Sequence, residues 1–307
     1  KMGLFDGLSK FGMKGNIREE IGDDLFLTSK EKELARLRAL KNGNAGNDGM
    51  SEEERRLEME KGHLFKKNIR CKCCDKIFPT LVPRSGHVKR MEPDMDLRPR
   101  CEHFDTLKYG VYHCPYCGYT SIARNFPRLS DRYRKVVEEK ICSRFKPEPP
   151  IDNKDIFTYD EAIDYHKLAL FTEVVRDGKA SDKAYICLLI GWLYRGKREE
   201  LESGTKKNEK EIELCRTEET ECLQQAFEGF TRALAKETAP FAGMNELTME
   251  YLLATLAIET GRYDVAVRSI SNIITSRSAP SRMKDKARLL KEEVLDKLRA
   301  EKQQTSV

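Results

Sequence analysis

Cys71-Lys72-Cys73-Cys74 and, after 39 intervening residues, Cys114-Pro115-Tyr116-Cys117-Gly118 decide how the rest of the chain is read. Two residues between cysteines let one tight turn aim both sulfurs at a single point. Two such turns complete a tetrahedral four-thiolate shell, the closed arrangement preferred by structural Zn2+. The flanks are short and β-prone: Asn68-Ile69-Arg70 and Lys76-Ile77-Phe78 around the first pair, residues 109–112 and 119–122 around the second. Each pair is therefore expected in a turn between short strands, as in a zinc ribbon. Gly118 follows the last cysteine, where such a turn needs positive φ. Asp75 holds the matching place in the first turn, and Asp also tolerates the left-handed region. The expected ligands are Cys71, Cys74, Cys114 and Cys117, a shell with no position for water, so the zinc reads as structural. Cys73 and Cys101 could each take a ligand's place, but only Cys71 with Cys74 repeats the spacing of Cys114 with Cys117. His113 adjoins Cys114 and reads as a strand residue.

Working outward, the 307 residues are enough for two domains or one elongated one. Charged residues make up 35% and hydrophobic residues 39%, which suits a soluble, helix-rich chain. No apolar run approaches the roughly 18 residues needed to span a membrane. The start lacks a basic segment followed by an apolar core, and Lys1 ahead of Met2-Gly3 reads as an addition before the native start. Ten cysteines paired at metal spacing, in a chain this long, point to a reducing cytoplasm rather than a disulfide framework. The formal charge of +5 is uneven: residues 62–150 carry 19 basic against 10 acidic side chains, while the flanking segments are slightly acidic.

The expected organisation has three parts. Residues 1–63 form an N-terminal helical and flexible segment. Leu4, Phe5, Leu8 and Phe11 fall on one helical face there, and Thr28-x-x-Glu31 and Ser51-x-x-Glu54 resemble capping boxes. Residues 64–146 form the four-cysteine ribbon with a trailing helix over 130–145, and Pro147, Pro149 and Pro150 make a stiff break after it. Residues 155–303 read as antiparallel helix pairs of tetratricopeptide type. Thr158-x-x-Glu161 opens them. Leu253-Ala254, Ala257, Gly261, Tyr263, Ala266, Ile270 and Ile273 give the best match, with small residues letting two helices approach and Gly261 making the turn. His166 stands at a packing position and is expected in the core. A charged insertion is expected over 196–213. The fold class is thus mainly α with a small β zinc ribbon.

This order of parts resembles a family of uncharacterised bacterial proteins, mostly from Gram-positive lineages, known as a domain of unknown function. The resemblance is carried by Leu64-Phe65-x-Lys67, Asp94 to Arg100, Tyr109 through Cys114-Pro115-Tyr116-Cys117-Gly118-Tyr119, Leu193-Tyr194-Arg195 and Gly261-Arg262-Tyr263-Asp264-Val265-Ala266. It implies an N-terminal zinc ribbon and C-terminal tetratricopeptide-like helices. The family's first knuckle usually reads Cys-Pro-x-Cys, whereas this chain has Cys-Lys-Cys-Cys. The resemblance implies no settled activity.

Two functions compete. Stacked helix pairs make a groove for peptides or helices, which favours a protein-interaction scaffold with zinc as a staple. Alternatively, the basic zinc segment binds nucleic acid through Arg124, Arg128, Arg132, Arg134 and Lys135 beside Tyr116, Tyr119 and Phe126. An enzyme is not expected: there is no phosphate-cradling glycine loop, nucleophile elbow or His-Glu-x-x-His motif.

Overall fold

The β-prone runs beside each cysteine pair fold into two antiparallel hairpins, each with its Cys-x2-Cys at the tip. The computed structural model describes residues 52–151, 154–204 and 207–304. The expected helices near residues 2–13 and 28–40, and the Ser51 cap, lie outside the described residues. A short charged helix, α1 (Glu52–Gly62), leads into β1 (Leu64–Arg70), which pairs with β2 (Ile77–Pro83) from Leu64 opposite Pro83 to Arg70 opposite Ile77. The second hairpin is β3 (Val111–His113) with β4 (Thr120–Ile122).

After the ribbon the chain is helical. The expected helix over 130–145 divides: α2 (Asp131–Val137) is α-helical, and Glu138–Cys142 is a π turn in which Ser143 N donates to Glu138 O at 3.1 Å. Then come α3 (Tyr159–Val175), α4 (Ala180–Ser203), α5 (Glu209–Lys236), α6 (Glu246–Glu259), α7 (Tyr263–Thr275) and α8 (Ser281–Gln304). Thr158 and Glu161 form the expected reciprocal cap of α3. The charged stretch 196–213 is largely helix rather than insertion, because it extends α4 and begins α5. Its length is stabilised between helices, by Arg198 with Glu219 and Arg216 with Glu202.

The C-terminal helices pack in pairs, α3 on α4, α4 on α5, α6 on α7 and α7 on α8. Small residues set the spacing. Ala162, Ala169, Ala226, Ala254, Ala257 and Ala266 are fully buried. A Cβ added at Gly191 would stand 3.2 Å from Leu223 and 3.3 Å from Cys222, so α4 and α5 touch where no side chain intervenes. Gly261 turns the chain between α6 and α7 at φ 71°, as expected. His166 is fully buried and its Nδ1 lies 2.7 Å from Ala162 O.

The described residues from Arg56 onward form one compact unit. Leu107, Val111 and Ile122 share an apolar cluster with the helices, so the second hairpin rests on them. The loop from β2 to β3 is fastened to α4 by ions. Arg98, only 2% exposed at its side chain, pairs with Asp105 at 3.0 Å and Glu199 at 3.1 Å. Arg100 grips the Glu199 carboxylate with two nitrogens at 2.6 and 2.7 Å. Asp96 accepts from Trp192 Nε1 at 2.7 Å and pairs with Arg195 at 2.8 Å. Asp94 and Asp96 of this loop are thus counter-charges of Arg195 on α4, whereas Glu92 pairs with Arg282 and Lys286 on α8. No helix among the described residues is long and apolar enough to cross a membrane.

Candidate metal centre

The two hairpin tips are built alike. In the first, Cys71 N donates to Lys76 O at 2.9 Å and Asp75 N donates to Cys71 O at 3.0 Å. In the second, Cys114 N donates to Tyr119 O and Gly118 N to Cys114 O, both at 2.9 Å. The fifth residue of each tip is left-handed, Asp75 at φ 60° and Gly118 at φ 76°. Only glycine fits the second tip, because a Cβ at Gly118 would stand 2.5 Å from the Phe145 ring.

These turns bring Cys71, Cys74, Cys114 and Cys117 together, with all four sulfurs within 4.8 Å of one another. Cys71 and Cys117 sulfurs are 3.6 Å apart, and Cys74 and Cys114 sulfurs 3.7 Å. A tetrahedron with metal–sulfur bonds of about 2.3 Å has edges of about 3.8 Å. These two edges match that geometry, so the donor set fits a metal ion. Phe78, Tyr119, Phe126, Val137 and Ile141 bury it.

The thiols also show why a cation suits the site. Cys71 and Cys117 are held well above the ordinary thiol range, in each case first by the interaction with Cys114. Cys114 is drawn down to about 2 by Cys117 and then Cys71. One thiolate is stabilised by its neighbours' S–H groups, and further ionisation is opposed by the charge already there. Four thiolates together need a positive ion among them.

Among the other candidates, Cys101 stands apart: its Sγ lies 3.7 Å from Thr106 Oγ1 and belongs to no cysteine group. His113 is a strand residue, with Nδ1 2.7 Å from Thr120 Oγ1 and its ring stacked on Tyr165. Cys73 is not one of the four: its sulfur lies 3.5 Å from that of Cys142, and these two group with Cys117. Cys142 was not legible as a site residue, since it sits in a helical stretch with no knuckle spacing. The surplus cysteine in Cys-Lys-Cys-Cys was the one available signal.

A family model described as uncharacterized protein conserved in bacteria (DUF2225) matches residues 64–294. No curated protein and no solved structure matches the chain.

Proposed function

The chain belongs to the DUF2225 family of uncharacterised bacterial proteins, and from there we propose that it is a non-enzymatic cytoplasmic scaffold, with tetratricopeptide-like helices that take a protein or peptide partner. Structural zinc at Cys71, Cys74, Cys114 and Cys117 ties the two hairpins together, and the helices provide the docking face. The observation that carries this reading is an apolar groove of about 300 Å³, open among the described residues, between α3 and α5 and floored by α4. Leu170, Val174, Ala180, Ala184 and Cys187 line it, with Glu228 and Arg232 at its rim. Val174 is 54% exposed, and Phe171, one turn earlier on α3, is 46% exposed. An amphipathic helix or apolar peptide suits such a groove.

The nucleic-acid reading has less support. Tyr119 and Phe126 are each 1% exposed and belong to the ribbon core, so they offer no face to a base. Arg124 donates to Ala242 O at 2.6 Å and lies over the Tyr185 ring. Arg98 and Arg100 are engaged by carboxylates.

The test is crosslinked affinity purification of the full chain from its native cell, with and without nuclease, beside the groove variant Val174→Asp. A defined protein that survives nuclease and is lost from Val174→Asp, with the melting curve unchanged, is the expected result. Co-purified nucleic acid, or the same protein on both forms, would sink the proposal.

A further inference from the structure

The four-thiolate group leaves Cys73 and Cys142 unexplained. Cys73 is 2% exposed and Cys142 half-buried, their sulfurs are 3.5 Å apart, and with Cys117 they form a second group whose sulfurs lie within 4.8 Å of one another. Their elements come from distant parts of the chain. Cys73 is the additional cysteine of the first hairpin tip, Cys117 belongs to the second tip, and Cys142 ends the π turn after α2.

That π turn is what delivers Cys142. In an α-helix the residue stacked over Val137 is the fourth one on, Ile141. A π turn stacks the fifth, which is Cys142. Val137 is fully buried against the cysteines, so the wider turn swings Cys142 towards that same face while Ile141 stays buried. Single π turns interrupting helices occur frequently at functional sites, and this one ends on a sulfur that meets two others.

We infer that Cys73, Cys117 and Cys142 hold a second zinc ion, with the Cys117 sulfur shared between the two metals. The inference rests on the reading of the first site as zinc. Cys117 is the residue common to both groups, and a thiolate has lone pairs enough to bridge two ions. Both Cys73 and Cys142 bind the second ion as thiolates. Three protein sulfurs leave the fourth position of a four-coordinate ion to an outside donor, and Cys142 is the ligand nearest solvent.

Zinc content measured on the full chain tests this and separates it from the first site. The protein is purified under reducing conditions, saturated with zinc, freed of loose metal by gel filtration, and assayed for zinc and free thiols. The expected values are two zinc ions per chain for the wild type and one for Cys142→Ser and for Cys73→Ser, with unchanged circular dichroism. Saturation with cadmium-113 should give two resonances coupled through the shared sulfur. One zinc in the wild type and in both variants would overturn the second site and leave the first standing. One zinc in a wild type whose Cys73 and Cys142 have formed a disulfide would overturn it equally. No zinc in the wild type would overturn both.

Discussion

Replacing Arg98 by Met removes the most enclosed positive charge in the β2–β3 loop while keeping most of the side-chain volume. Its guanidinium meets Asp105, whose side chain is 9% exposed, at 3.0 Å, and Glu199, 36% exposed, at 3.1 Å. At an effective dielectric constant of about 20, a contact of that length is worth roughly 5–6 kcal/mol before desolvation is charged against it. Glu199 contributes little to the loss, because it is more exposed and keeps its two-nitrogen contact with Arg100. Asp105 is the group left stranded, with Tyr159 Oη at 3.3 Å and the Leu107 amide as its remaining donors. Removing one partner of a buried pair costs about 3–5 kcal/mol, and the lower end applies because those donors remain. For a protein of this size, about 3 kcal/mol corresponds to a fall of roughly 5–6 °C in Tm. Urea titration and thermal melting of the metal-loaded protein would measure it. Combining Arg98→Met with Asp105→Asn should recover part of the loss, since the amide oxygen can still accept from Leu107 N. A single variant within about 1 kcal/mol of the parent would refute the account of the loop as ion-fastened.

Three further expectations follow from particular side chains. Ala266→Glu places a carboxylate at a fully buried helix contact and should cost more than about 3 kcal/mol; an unaltered melting curve would put Ala266 on the surface. Burial lowers His166 to about 4 from an ordinary 6.5, against the opposing hydrogen bond to Ala162. The unfolded chain therefore takes up this proton first as pH falls, so the stability is present above pH 6.5 and is lost progressively down to about pH 4, by at most about 3 kcal/mol. The urea midpoint of the wild type should fall more steeply across that window than that of His166→Gln, and parallel curves would contradict the assignment. Cys101→Ser should leave zinc content unchanged, because its sulfur belongs to neither cysteine group; a loss of metal would bring it into the ligand set.

The local features were readable because local chemistry determines them. Cys-x2-Cys spacing, the left-handed place shared by Asp75 and Gly118, the Thr158–Glu161 cap and the Gly261 turn each depend on a few adjacent residues. The helix pairs were readable because alanine and glycine recur where two helices must touch. What escaped was non-local. Nothing in Asp94 to Arg100 alone says that its arginines face Glu199 and its aspartates face Arg195 and Trp192. The charged run after Gly196 reads as an insertion until the Arg198–Glu219 and Arg216–Glu202 pairs make it helix. Cys142 required a change of helical pitch, which residue type does not announce.

The fastening of the loop to α4 also orders events during synthesis. Cys71 and Cys117 are 46 positions apart, whereas Arg98 and Glu199 are separated by 101. At about 5–20 residues per second, the four sulfurs are all outside the ribosome roughly 4–16 s before Glu199 emerges. A nascent chain can close its thiolate shell in that interval, while Asp96 and Arg98, destined for burial, remain in water. Metal supply would then govern the first half of folding and charge pairing the second, with α4 joining the two.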